Sequence, residues 1–338
     1  MLDDLRTPAD LRTLDIDQPE RLAHQIREFL VGSVCRTGGH LGSNVGVVEL
    51  TLALHRVFEQ AVTSAAGPAV GGFHPVVSLY ATFANRAFDQ VLLDVGLHGL
   101  PVTFVLDRAG ITGPDGPSHH GVWDIAMLGI VPGMRVAAPR DPATLLEELD
   151  EAVATESGPT ALRFPKATAG PELAAVERWQ GVDVLRRSRG QEVLLVVAGP
   201  LAGAALEAAG LLAAEGTECT VVDPRWLLPA NPVLTTLACS HQVVVTVEDG
   251  VRDGGFGRRL AAEVAEAGAR PRMRTLGVPS SYVVHGARSD LLARFGLDAE
   301  GVAAAVRDLR PPVPAGEPEA LPATRADSSV RAFAGTLR

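Results

Sequence analysis

From residue 61 onward the chain alternates short β-branched runs with helical stretches, and this rhythm constrains the fold more than any other feature. HPVVSLYAT, PVTFVLD, MRVAAP and PTALRFP are separated by helix-patterned NRAFDQVLLDVGLH and DPATLLEELDEAVAT. EVLLVVAG, CTVVDPRW and QVVVTVED then alternate with LAGAALEAAGLLAAEG and a helical stretch near FGRRLAAEVAEAG. Runs such as VLLVV lack the polar alternation of a half-solvated strand, so they predict strands buried on both faces. The expected class is α/β, with mostly parallel sheets covered by helices and a three-layer second unit. At roughly 100–200 residues per domain, 338 residues suit two or three domains. The expected units are residues 59–170 and 191–310, joined by a linker with some local structure at 171–190 and followed by a Pro-rich flexible tail at 311–338.

Charge and cysteine usage narrow the function classes. Lys and Arg number 30 against 40 Asp and Glu, a net charge of -10, which gives no argument for binding nucleic acid or an anionic membrane. No stretch reaches the roughly 20 apolar residues of a spanning helix, and MLDDLRTPADLRTLD is acidic where a secretory signal is basic. Cys35, Cys219 and Cys239 are widely spaced, without a CxxC pair, and are expected to be core fillers in a reducing compartment. The expected location is the cytoplasm.

The densest chemistry lies in DRAGITGPDGPSHHGVWD, residues 107–124, directly after the strand PVTFVL. Loops leaving the carboxyl ends of parallel strands line ligand crevices. Arg108 suits a phosphate or carboxylate through its planar donor fork, while Asp115, His119 and His120 suit substrate orientation and proton exchange. The alternative is a glycine-rich turn in which Asp115 satisfies backbone donors and the histidines face water. Tyr80, Phe83 and Arg86 could wall a planar cofactor, with Glu59 as a buried carboxylate tuned to a heteroaromatic nitrogen. A packed aromatic face beside a solvated charge fits the same spacing. Arg163, ending ALRFPK, suits either a phosphate or a surface ion pair. His40 follows Gly38 and Gly39, where the backbone can approach a ligand closely. Glu248 is a candidate for a domain interface, His241 reads as structural, and no set of side chains reads as a metal site.

These motifs together resemble the 1-deoxy-D-xylulose-5-phosphate synthases, thiamine-diphosphate enzymes of the transketolase superfamily. RTGGHLGSNVGVVELTLALH, EQAVTSAAGPAVGGFHPVVSLYATFANRAFDQVLLDV, the DRAG loop, RVAAPRD, ALRFPK and VEDGVRDGGFG carry the likeness in order, across nearly all of residues 15–308. The resemblance implies a pyrimidine-binding domain at 59–170 and a transketolase C-terminal-like domain at 191–310. Residues 1–58 become a helical remnant of the amino-terminal, diphosphate-binding domain.

Glu59 matches the residue that activates the aminopyrimidine, and Phe83 the aromatic against that ring. Tyr80, Arg86, Asp115 and His119 match positions around cofactor and substrate, Arg108 and Arg163 the pair at the aldehyde's phosphate, and His40 an amino-terminal active-site histidine. The implied cofactors are thiamine diphosphate and Mg²⁺, the implied substrates pyruvate and glyceraldehyde 3-phosphate, and the implied assembly a homodimer.

One departure separates ancestry from activity. VVELTLALHRVF runs straight into EQAVTSAAG, where the family places most of its diphosphate-binding domain, and no GDG triplet occurs anywhere in the chain. The family's EQH pattern reads Glu59, Gln60, Ala61 here. Mg²⁺ requires oxygen ligands in near-octahedral geometry beside phosphate, and the sequence offers no recognisable substitute. The expectation is an internally deleted homologue with weak or absent synthase activity as an isolated chain. The alternatives are one subunit of a split enzyme whose missing domain is a second polypeptide, or a non-catalytic interaction or regulatory protein.

Overall fold

A computed structural model describes residues 60–310, together with residues 18, 21, 22 and 24–26. Glu59, His40 and Cys35 lie outside the described residues, as do most of the 1–58 remnant and the 311–338 tail. Helix α1 (60–70) leads into β1 (Val76–Tyr80), which is followed by a continuous helical stretch, α2, made of Ala81–Ala87, Phe88–Gln90 and Val91–Gly96. Thr63 Oγ1 donates to Asp94 Oδ2 at 2.6 Å and ties α1 to α2. Strands β2 (Thr103–Asp107), β3 (Arg135–Ala137) and β4 (Thr160–Arg163) follow, with short α3 (Asp124–Leu128) and longer α4 (Pro142–Val153) between them. Helix α4 starts sharply because Asp141 accepts from Thr144 N at 2.8 Å in a capping box and Pro142 occupies the first turn.

The first sheet has the order β1-β2-β4-β3-β9, where β9 is Trp226–Leu228, with β1 to β4 mutually parallel. Strand β1 is its edge. Its Val77 and Leu79 are buried, whereas Val76 is 52% exposed and Tyr80 36%. Among the described residues no strand pairs along its outer side, and neither a charge nor a proline inside VVSLY blunts that edge. A sheet edge left in this state is a template for another strand.

The second sheet has the order β11-β10-β7-β8-β6-β5. Strands β7 (Val193–Val197), β8 (Cys219–Asp223), β10 (Val243–Val251) and β11 (Arg272–Val278) run parallel, and the first three are buried throughout. Helices α5 (Ala202–Ala214), α6 (Pro232–Ser240), α7 (Phe256–Glu266), α8 (Arg288–Arg294) and α9 (Ala299–Leu309) complete this unit. The largest apolar cluster is shared between the sheets, bringing Val77, Phe104 and Val136 together with Leu194, Val222 and Val244. A second cluster lies where α5 and α9 cover the other face of the second sheet. The α/β expectation therefore holds for both units. No helix among the described residues is long and apolar enough to cross a membrane.

Three details differ from the sequence expectation. Residues 171–190, read as a linker, contain the hairpin β5 (Glu177–Trp179) and β6 (Val182–Arg186), whose inner strand pairs with β8. Its charged residues break the apolar pattern because they are consumed in ion pairs. Strand β9 (Trp226–Leu228), which follows β8 in the chain, crosses back to join the first sheet antiparallel to β3, so the two units interlock. Of the cysteines, Cys219 is a buried core residue, while Cys239 is exposed because it lies on the outward side of the last turn of α6.

Buried charges hold the two units together. Arg140, before α4, donates from Nη1 to Asp183 Oδ2 at 2.7 Å and to Asp223 Oδ2 at 2.9 Å. Burial pushes Asp223 up to about 6 even beside this guanidinium. Glu148, on α4, is fully buried with no hydrogen-bond partner for either carboxylate oxygen, and its nearest cation is Arg225 Nε at 3.8 Å. Burial, reinforced by Asp223, drives its carboxyl up to about 9. The folded chain thus binds this proton more tightly than the unfolded chain. The stability it contributes is fully present below about pH 4.5 and is lost as pH rises towards 9, at about 1.4 kcal/mol per pH unit. Glu148→Gln removes the titration. The expected outcome is a gain that grows from under about 1 kcal/mol near pH 5 to about 5 kcal/mol at pH 8, read from urea unfolding across that range.

Candidate active site

Strand β2 ends at Asp107, and the next residue, Arg108, sits at φ +61, a left-handed conformation that costs a non-glycine residue free energy. The strain turns the chain into a loop closed by reciprocal bonds between Gly110 and Gly121, each 2.8 Å. Glycine is required inside it. A Cβ on Gly110, at φ +73, would fall 2.2 Å from the Asp249 carboxylate, and one on Gly116, at φ +78, would fall 2.3 Å from His285 Nε2. The second unit therefore backs the loop directly. Asp249 Oδ1 accepts from Ile111 N at 3.0 Å, and Arg288 bonds both the Ile111 carbonyl and Asp249.

Above the loop stands an aromatic platform. Tyr80, ending β1, stacks on Phe83 with ring centroids 5.7 Å apart and planes 18° from parallel. His119 meets Phe83 edge-on at 5.9 Å, Arg108 lies 4.1 Å over the Tyr80 ring, and Arg86 approaches Phe83 at 5.4 Å. Arg86 Nη1 is buried without a hydrogen-bond partner, which leaves a desolvated donor beside the rings. His119 Nδ1 bonds Ser118 Oγ at 2.9 Å, so Nε2 is the ring nitrogen left for chemistry. Asp115 accepts from Lys166 Nζ on both oxygens, at 2.9 and 2.8 Å, and from Arg108 Nη1 at 3.5 Å. The Lys166 bond is the main reason its carboxyl lies below the usual range.

Tyr80, Phe83, Arg86, Arg108, Asp115 and His119 are therefore brought to one place. His120 is turned inward, where its Nδ1 accepts from Thr112 N at 3.0 Å and burial lowers its pKa. Arg163 is also turned inward. Its guanidinium is buried, donating from Nε to Asp124 Oδ2 at 2.7 Å and from Nη2 to the Asp249 carbonyl at 2.9 Å. This geometry corrects the expectation of a phosphate contact from Arg163, because as the last residue of β4 it faces the shared core. Lys166, which sequence reasoning passed over, is the cation of ALRFPK that faces the cleft. Its signal was a basic residue in the loop just beyond a parallel strand. Glu248 does lie between the units, buried and accepting from Phe256 N and Gly257 N at 2.9 Å each at the start of α7. His241 is structural, its Nδ1 2.7 Å from the Leu237 carbonyl.

The rings and the orphaned Arg86 donor fit a planar heteroaromatic group. They do not fit a metal. Among the described residues no group of three or more His, Cys, Asp and Glu converges as a metal site.

Comparison with known proteins matches this division. The description "Transketolase, pyrimidine binding domain" matches residues 57–171, "Transketolase, C-terminal domain" residues 182–302, and "1-deoxy-D-xylulose-5-phosphate synthase" residues 2–66. The 1-deoxy-D-xylulose-5-phosphate synthase 1 of Kitasatospora griseola is 55% identical over 247 residues, covering 73% of this chain and 38% of that protein. The synthase of Rhodococcus jostii (strain RHA1) is 53% identical over 278 residues, 80% of this chain and 43% of that protein. The chain thus spans about two fifths of the length of these relatives. A solved structure described as a split gene transketolase, an inactive β4 tetramer, superposes with a TM-score of 0.66 at 31% identity, covering 74% of this chain and 81% of that one.

The inward guanidinium generates a stability prediction. Arg163→Met strands the buried Asp124 carboxylate and is expected to cost about 3–5 kcal/mol in chemical denaturation. Adding Asp124→Leu removes the stranded charge and is expected to regain part of that loss. Equal stability of Arg163→Met and the unaltered chain would show that the pair is not closed in solution.

Proposed function

This chain belongs to the transketolase family, within its 1-deoxy-D-xylulose-5-phosphate synthase branch, and we propose that it carries the pyrimidine-side half of a thiamine-diphosphate active site. The observation that carries this reading is the Tyr80–Phe83 platform, flanked by His119 and by an Arg86 donor without a partner. The family reaction condenses pyruvate with glyceraldehyde 3-phosphate, releasing CO₂ and forming 1-deoxy-D-xylulose 5-phosphate. Thiamine diphosphate, when bound, supplies the electron sink for that chemistry.

The chain's own residues have narrower tasks. Phe83 and Tyr80 hold the aminopyrimidine by stacking, and Arg86 donates to a ring acceptor. Glu59 takes the activating position before α1, and His40 an amino-terminal active-site position. Arg108 and Asp115 orient the acceptor aldehyde, and His119 exchanges a proton through Nε2 at the reacting oxygen. Mg²⁺ and the diphosphate need ligands that the described residues do not gather, so the isolated chain has weak or no turnover. In this reading it is a cytoplasmic homodimer.

A second reading places the missing half on a separate polypeptide. The split gene transketolase favours it, because a chain of similar extent is there described as an inactive tetramer on its own. The β1 edge beside the platform, unpaired among the described residues, gives such a partner a place to join.

Calorimetric titration with thiamine diphosphate, with and without Mg²⁺, tests the half-site. The expected result is weak binding that changes less than about twofold with the metal and weakens about tenfold or more in Phe83→Ala. Tight, metal-dependent binding accompanied by product formation from pyruvate and glyceraldehyde 3-phosphate would overturn it.

A further inference from the structure

The loop after α3, the returning strand β9 and helix α7 enclose a cavity of about 440 Å³ at the seam of the two units. It lies at the amino-terminal end of the first sheet. Arg135, which begins β3, is level with Thr160 and Thr103, the first residues of β4 and β2, whereas Tyr80 and Asp107 end their strands at the opposite side. The cavity is therefore separate from the aromatic platform. Its floor is apolar, with Val131, Met134 and Leu228 buried.

Two guanidinium groups line this cavity, and neither meets a carboxylate among the described residues. Arg135 lies 4.3 Å over the Trp226 ring and donates from Nη1 to Thr155 Oγ1 at 3.0 Å, while Trp226 Nε1 donates to Glu151 Oε2 at 2.6 Å. Arg259, on α7, donates from Nε to the Gly254 carbonyl at 3.2 Å and rests on Gly129, where a Cβ would fall 2.4 Å from its Nη2. Other arginines of the folded units are already neutralised: Arg140, Arg163, Arg225 and Arg288 each meet a carboxylate oxygen at 2.5–2.7 Å. The one acid in the lining, Glu263, accepts from Thr235 Oγ1 at 3.2 Å, so two positive charges face one negative charge. Held in place but not neutralised, the guanidinium groups keep donors for an anion, and the apolar floor suits a body of several carbons.

We propose that this cavity is a second ligand site, taking a monocarboxylate with a compact apolar body: the carboxylate is held by Arg135 and Arg259, and the body lies on Val131, Met134 and Leu228. The assignment is independent of the synthase reading, because none of these residues stands on the platform.

The test is calorimetric titration of the full chain with 4-methylpentanoate, with its uncharged amide and with acetate. The expected result is that 4-methylpentanoate binds at least about tenfold more tightly than either control, and that Arg135→Gln and Arg259→Gln each weaken it about tenfold. Phe83→Ala is expected to change it less than about twofold, and thermal melts establish that each variant keeps its fold. Ligand is also expected to change the tryptophan emission, and Trp226→Phe to abolish that change. Equal binding of the amide would overturn the proposal, as would affinity unchanged in both arginine variants, which would leave Arg259 only the task of meeting the end of α3. Affinity lost in Phe83→Ala, an emission change that persists in Trp226→Phe, or no binding by the unaltered chain would overturn it too. A failed thiamine titration beside intact carboxylate binding would count against the half-site reading alone.

Discussion

A buried guanidinium organises the active-site end of this molecule. Arg163 ends β4 and joins three pieces of chain: its own strand, α3 through Asp124, and β10 through the Asp249 carbonyl. Desolvating an arginine costs several kcal/mol, and only close, well-oriented partners offset it. The charge therefore enforces geometry more than it adds stability. With Arg163 satisfied, β10 is held against the first sheet, and Asp249 on that strand can receive Ile111 N and Arg288. The 108–121 loop is thereby clamped between the two units. Arg108 at φ +61 is tolerated because the surrounding bonds determine its conformation.

The same physics separates the aromatic platform from a metal site. Aromatic stacking and one buried donor without a partner among the described residues supply a shape suited to a flat ring, and they need no metal. Holding a diphosphate requires oxygen ligands and a cation in fixed geometry, which are a separate structural task. The first sheet is incomplete in the same sense. Its interior strands are buried on both faces, yet β1 keeps Val76 and Tyr80 exposed and its outer hydrogen-bonding side unpaired among the described residues.

Much of the architecture was legible in the sequence because it rests on local signals. Buried parallel strands write themselves as VLLVV and VVVTV, and the DRAG loop announces itself by glycines after a strand. Aromatic and basic residues at 80, 83 and 86 fall together because one helical turn brings them there. What the sequence hid is tertiary in origin. VDVLR reads as a linker since its Asp183 interrupts the apolar run, yet that aspartate is the buried partner of Arg140. The return of β9 to the first sheet is three residues long and carries too little pattern to be seen. Arg163 and Lys166 are both cations near a strand end, and only the pairing of Arg163 with the register of β2 and β10 shows which one faces inward.

That last distinction follows from the cost of desolvating a charge. A cation buried at a domain junction is already neutralised, and exposing it to a ligand would leave Asp124 desolvated and unpaired. A cation in the loop beyond the strand, such as Lys166, stays partly exposed and pairs with Asp115 at the surface. The inward residue thus sets where the loop stands, and the outward residue three positions later pairs with a carboxylate of that loop. Because Asp249 and Arg288 of the second unit brace the 108–121 loop, the second unit is part of that loop's construction. Removing that domain would release Gly110 to Gly116 from the contacts that define their shape, even though none of its side chains stands on the aromatic platform.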